Sequence, residues 1–275
     1  MAKKKKSKKV VYLHGYSKEE QDRLYYQARL LEADVFEGVD FSQCKKIIEV
    51  GCGVGAQTQI LLERFPHLEI LGVDLSEAQI NVAKIRLKKY VESGQVRLLC
   101  MNAEKIGQLK ENFDGAFICW FLEHVPDPLK ILKALNKILV PEAKIYCTEV
   151  QNASFFVNPY SPNILKYWFE FNDFQWEHGG NPFMGATLGN LLLKSKYKDI
   201  DVDFRGLTYD SRDKKARKEF VLYFEELMFS AAENLIKDKR MTTKSLKNVK
   251  AEVKKLIKNE NAVIQLGYMR ITAIK

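Results

Sequence analysis

From Lys45 onward, short apolar runs alternate with longer amphipathic stretches. Runs at 46–50, 69–73, 96–100, 114–119 and 144–150 have the length and composition of strands. Between them, 56–64, 77–92 and 128–139 repeat apolar residues at helical spacing. This alternation predicts an α/β fold, a parallel sheet with helices on both faces joined by right-handed crossovers. Ahead of it, Ser17 with Glu20 forms a capping box opening a helix that carries Leu24, Ala28 and Leu31.

After Val150 the regularity breaks. Residues 152–183 hold ten of the 31 aromatics, and Leu188, Leu191 and Leu192 then mark a short helix. A strand is expected near 199–204, followed by a long amphipathic helix with Phe220, Phe224, Leu227, Met228, Ala231 and Leu235 on one stripe. Thr242 or Thr243 can cap a lysine-rich helix ending near Lys258, and a seventh strand closes the pattern at 263–273. The predicted organisation is a disordered lysine-rich tail (1–10), a helical cap (11–38) and a core (39–150). An aromatic, helical lid insertion (151–197) follows, then a strand, two helices and a last strand (198–275).

Charge changes the picture only once it is located. The net charge of +9 comes from six lysines in the first nine residues and from 237–258, which carries +7; the rest of the chain is at −4. A basic tail can touch nucleic acid or anionic lipid, but it is more commonly a solvated arm. With 46% hydrophobic residues the chain can bury a sizeable core, and it has no apolar run near the ~18 residues a membrane span needs. The expectation is a soluble, cytoplasmic protein. Five scattered cysteines without a C-x-x-C pair, and four distant histidines, argue against a disulfide framework or a zinc site, so no metal is expected.

The chemistry concentrates after the first strand. Gly51-x-Gly53-x-Gly55 sits between a strand and a helix, where glycine permits a sharp turn and a close approach to a ligand. Gly51-x-Gly53-x-x-Ala56 with Asp74 some twenty positions later also fits a dinucleotide fingerprint. Three details tilt the reading away from an NAD-dependent oxidoreductase. Glu49 is acidic inside the strand, no tyrosine has a lysine four residues later, and Met101-Asn102-Ala103-Glu104 stands where an adenine could be held.

With those motifs the chain resembles the class I S-adenosylmethionine-dependent methyltransferases, in particular their small-molecule members. Glu49-x-Gly51-x-Gly53-x-Gly55, Gly72-Val73-Asp74, Asn102-Ala103-Glu104, Phe113–Cys119 and Leu122-Glu123-His124-Val125 match the family's ordered motifs, over roughly 40–150. The resemblance implies a Rossmann-like, seven-stranded, mostly parallel sheet and S-adenosylmethionine as cofactor. It implies Asp74 on the ribose hydroxyls, the Gly51–Gly55 backbone under the methionine part, Glu49 orienting its polar end or the loop, and Asn102-Ala103 at adenine. Tyr16, Cys52, Gln57, Leu75, Gln79, Cys119 and Trp120 complete the implied cofactor set. The family often has Asp where this chain has Asn102.

Methyl transfer from a sulfonium depends mainly on alignment, with a base needed only when the acceptor must lose a proton. His124, in the loop after the fourth strand, is the candidate base, and Tyr16 is a second candidate beside it. The loop Cys119-Trp120-Phe121-Leu122 lacks the prolines of base amino-methyltransferases, and no Pro-Cys dipeptide exists for cytosine C5 chemistry. Residues 152–183 carry Lys166 against Glu170, Asp173 and Glu177, an unfavourable surface for phosphate. Tyr160, Trp168, Phe174 and His178 are the candidate acceptor contacts. The expected function is methylation of a small organic acceptor under an aromatic lid, with nucleic acid a poor fit. An RNA or protein methyltransferase using the basic arm is the alternative.

Overall fold

The computed structural model describes residues 12–275, so the lysine tail at 1–10 lies outside the described residues. Helices α1 (Lys18–Leu30) and α2 (Glu32–Phe36) precede β1 (Lys46–Val50), α3 (Ala56–Arg64) and β2 (Glu69–Asp74). Next come α4 (Glu77–Arg86), α5 (Lys88–Glu92), β3 (Val96–Cys100), β4 (Phe113–Cys119), α6 (Pro128–Ile138) and β5 (Leu139–Asn158). The remainder is α7 (Pro162–Glu177), α8 (Met184–Lys194), β6 (Lys198–Tyr209), α9 (Lys214–Phe229), α10 (Ala232–Lys237), α11 (Thr243–Lys258) and β7 (Val263–Ile274).

All seven strands join one sheet in the order β3-β2-β1-β4-β5-β7-β6. The first five pair in parallel, while β7 lies antiparallel between β5 and β6. The order reverses beside β1, between β2 and β4, and such a reversal opens a crevice at the carboxyl ends of the strands. Alternating side chains build a core on each face. Ile47, Phe117 and Tyr146 enter one with α3, α7 and α9, whereas Ile48, Ile118 and Ile145 enter the other with α6 and α8.

Helix starts follow the sequence closely. Ser17 Oγ accepts the Glu20 N–H, Ser76 Oγ that of Gln79, and Asp127 Oδ1 that of Lys130 behind Pro128. Two elements differ from expectation. The helix expected over 77–92 is broken at Leu87 into α4 and α5. Strand five runs on to Asn158 past a register shift between Gln151 and Phe156, because β7 is long enough to pair with both halves. Residues 151–158 are therefore sheet rather than the start of a lid. Beyond them α7 is bound into the core, its Trp168 ring 5.1 Å from Phe155 of β5 and 5.0 Å from Phe224 of the later helix α9. No helix among the described residues is long and apolar enough to cross a membrane.

Candidate functional site

The loops after β1, β2, β3 and β4 enclose a cavity of ≈ 430 Å³ at the crevice beside β1. Its floor is the glycine loop. Gly51 has φ +80°, and a Cβ there would fall 2.3 Å from the Phe121 ring. Gly53 has φ +49° with nothing within 4 Å of a Cβ, so its backbone faces open space. The Gly51 N–H donates to Val73 O at 2.8 Å, which ties the loop to the end of β2.

Asp74 closes that end. Its Oδ2 accepts the Gly53 N–H at 3.0 Å and its Oδ1 the Ser76 N–H at 2.8 Å. Burial raises its pKa, and the N–H bonds from Ser76 and Gly53 oppose the rise. Cys52, Leu75, Gln79, Asn102, Ala103, Gln57, Cys119, Trp120 and Tyr16 all line the same cavity. Asn102 spends its side-chain oxygen on the Glu104 N–H at 2.9 Å. Gln57 Oε1 and Gln79 Oε1 are buried without a hydrogen-bond partner among the described residues. Such orphaned acceptors usually mark an unfilled contact.

Trp120 has φ +49°, a left-handed conformation that is costly for a bulky residue. Its N–H is held by Thr148 O at 2.8 Å. The turn that follows is anchored by Glu149, whose carboxylate accepts the N–H groups of Phe121, Leu122 and Glu123 at 3.1, 2.7 and 3.3 Å. Burial pushes the Glu149 carboxyl up to about 8. The result is to present His124 and Trp120 to the cavity.

A second, smaller chamber of ≈ 90 Å³ lies behind this wall. Tyr12, Leu24, Gln27, Trp120 and His124 line both spaces. The inner one also reaches His14, Arg23, Trp168, Phe171 and Tyr223, so α1, α7, α9 and β7 all contribute. Its polar side chains are closely paired. Arg23 grips Glu20 through Nε at 2.7 Å and Nη2 at 2.6 Å, and gives Nη1 to Gln27 at 2.7 Å. Tyr12 stacks on Tyr16 at 5.2 Å and meets the His124 ring edge-on at 5.0 Å. His124 Nε2 lies 3.6 Å from Glu123 Oε1.

Several sequence-chosen residues lie elsewhere. Glu49 is buried beneath the glycine loop, where Thr58 Oγ1 donates to it at 2.5 Å, and it lines neither space. Burial pushes its carboxyl up to about 8. Of the four acceptor candidates, Trp168 alone lines a chamber. Tyr160 is 77% exposed, while Phe174 and His178 stack on each other at 3.9 Å, away from both spaces. Conversely, Tyr12, His14, Arg23 and Gln27 were missed. The alternation Tyr12-x-His14-x-Tyr16 ahead of the first helix was the available signal.

Comparison with known proteins agrees with this geometry. The methyltransferase domain family matches residues 48–147. The ubiquinone biosynthesis O-methyltransferase of Idiomarina loihiensis is 38% identical over 104 residues, 37% of this chain and 41% of that protein. The chain thus aligns with about two-fifths of the length of the curated relatives it matches. Haemonchus contortus phosphoethanolamine N-methyltransferase 2, solved with phosphomonomethylethanolamine and S-adenosylhomocysteine, superposes with a TM-score of 0.56 at 16% identity, covering 97% of this chain and 60% of that one. The [4+2]-cyclase SpnF gives 0.55 at 19% identity, covering 90% and 82%. At those identities the likeness establishes the fold, which hosts more than one reaction. Over residues 48–147 the chain is thus similar to the methyltransferase domain family, and its seven-stranded sheet has the fold of the class I methyltransferases.

Proposed function

We propose that this chain transfers a methyl group from S-adenosylmethionine to a small organic acceptor. The observation that carries the reading is the pairing of the two spaces: a large glycine-floored cavity with orphaned acceptors, backed by a small aromatic chamber, with His124 on their common wall. The residues present fit the donor. Asp74 offers carboxylate oxygens for a ribose diol, and Gln57 and Gln79 offer amide oxygens for N–H donors. The open face of Gly53 leaves room for the chain of the amino acid. When bound, the donor supplies an activated sulfonium methyl whose C–S electron pair stays on sulfur.

An O–H acceptor gives up its proton as its oxygen takes the methyl, and His124 receives it, a role supported by its lining both spaces. Oxygen as the accepting atom is supported by the O-methyltransferases matched over the domain. A small acceptor is favoured over RNA by the inner chamber, whose lining Lys, Arg, Asp and Glu side chains are Arg23, already held by Glu20, and Glu123.

Thermal shift and labelled transfer test the reading. S-adenosylhomocysteine should raise the melting temperature through native-state binding and NAD should not. Methyl label should pass to a metabolite pool rather than to total RNA. Asp74→Ala should weaken S-adenosylhomocysteine binding by roughly 1.5–3 kcal/mol, the scale of hydrogen bonds to a charged group. Stabilisation by NAD alone, or undiminished binding by Asp74→Ala, would remove the donor site as described.

A further inference from the structure

We propose that the inner chamber selects for an uncharged hydroxyl on the acceptor, other than the one methylated, through a hydrogen bond received at His14 Nε2. The proposal rests on the methyltransferase reading and adds to it a substrate class and a specificity-determining residue.

The tautomer of His14 follows from its neighbours. Ser230 Oγ donates its single hydrogen to Leu227 O at 2.7 Å, a carbonyl that can only accept. Toward His14 Nδ1, 2.5 Å away, Ser230 Oγ must therefore act as acceptor, so Nδ1 carries the proton. A neutral His14 then has a lone pair at Nε2 that no side chain or backbone group among the described residues engages. Burial, reinforced by Arg23 and His124, holds its pKa well below the ordinary histidine value, which keeps the ring neutral. An imidazole so depressed is a poor proton acceptor but a durable hydrogen-bond acceptor. Leu13 O accepts from Asn234 Nδ2 at 3.0 Å, so α10 fixes the backbone beside it.

The rest of the chamber narrows the class. Phe171 lies 5.7 Å from the His14 ring, and Trp120 and Trp168 form further walls, surfaces suited to a flat apolar body. A chamber of ≈ 90 Å³ is smaller than the ~150 Å³ that holds benzene in an engineered cavity. A ring thus places only its hydroxyl-bearing edge beyond the shared wall. Anions fit badly: the Arg23 guanidinium is taken up by Glu20 and Gln27, and Glu123 adds negative charge.

Calorimetry on the full chain saturated with S-adenosylhomocysteine tests this, using phenol, anisole, benzoate and O-phosphoethanolamine as probes. Phenol should bind about tenfold more tightly than anisole, the worth of one hydrogen bond to a buried acceptor. Benzoate and O-phosphoethanolamine should bind more weakly than phenol. His14→Phe should erase the phenol preference, and His14→Gln, which offers an oxygen near the Nε2 position, should retain part of it. Both variants should bind S-adenosylhomocysteine as the parent does, which also reports that they fold. Equal affinity for phenol and anisole, or tighter binding of either anion, overturns the proposal while leaving the methyltransferase reading intact. Failure of S-adenosylhomocysteine to bind the parent would instead sink that reading.

Discussion

Thr58 donates its hydroxyl to the carboxylate of Glu49 at 2.5 Å, bridging β1 and the first turns of α3 beneath the glycine loop. The contact ties Glu49 to α3 beneath the loop, in keeping with the loop-orienting role expected of it. It also gives the protein a pH signature. Burial raises the Glu49 and Glu149 carboxyls to about 8, above the unfolded value. Their contribution to stability is present in full below the unfolded pKa of about 4.5 and is lost as pH climbs toward 8. Melting temperature should accordingly fall between pH 5 and 8. Glu49→Gln should flatten that fall, and an unchanged slope would show that Glu49 titrates normally.

The two loop glycines should respond differently to a methyl group. Gly51→Ala adds a Cβ 2.3 Å from Phe121 at φ +80°, combining collision with a left-handed backbone. A loss of several kcal/mol in stability is expected. Gly53→Ala meets nothing within 4 Å, so only the conformational cost of about 1–2 kcal/mol applies. Its Cβ nevertheless projects from the cavity floor. Chemical denaturation should separate the pair, and S-adenosylhomocysteine titration of Gly53→Ala should show weaker binding despite a sound fold.

For His124, kinetics distinguish a base from a wall. Loss of a general base in His124→Ala should lower turnover by ~10²–10⁴ with donor affinity nearly unaltered. A residue that only shapes the boundary would change donor affinity and turnover together and modestly. Equal and small losses in both would leave the transfer without a protein base at this position.

Arg23 lines the inner chamber and pairs with Glu20 behind it, the two side chains 6% and 2% exposed. Glu20→Ala strands a buried guanidinium and should destabilise by about 3–5 kcal/mol. Glu20→Leu combined with Arg23→Met should cost less than the single change, since no charge is left alone. Denaturant unfolding of the parent and the two variants decides the matter, and a double variant less stable than the single would overturn the expectation.

How much of this was legible in the sequence depends on chain distance. Gly51, Gly53, Asp74 and Trp120 follow directly on strand ends, so the periodicity that locates the strands also locates them. Glu49 was visible as an odd carboxylate, but its partner Thr58 lies on the next helix, and nothing in β1 states which way its side chain points. Phe174 and His178 were selected as aromatic mass, and packing spent them on each other. His14 and Arg23 carried no motif, because their neighbours Ser230 and Phe171 are brought to them only by the folded chain.

The position of β7 between β5 and β6 has a kinetic consequence. The donor cavity is lined entirely from residues 12–131, whereas the inner chamber also needs Tyr223, Leu227 and Gly267. Strand β6 has no direct pairing with β5, so it joins the sheet only through residues 263–274. Contacts spanning that much chain form late, since their loop-closure entropy must be met before they reward it. A nascent molecule should complete the cavity beside β1 early and the inner chamber last.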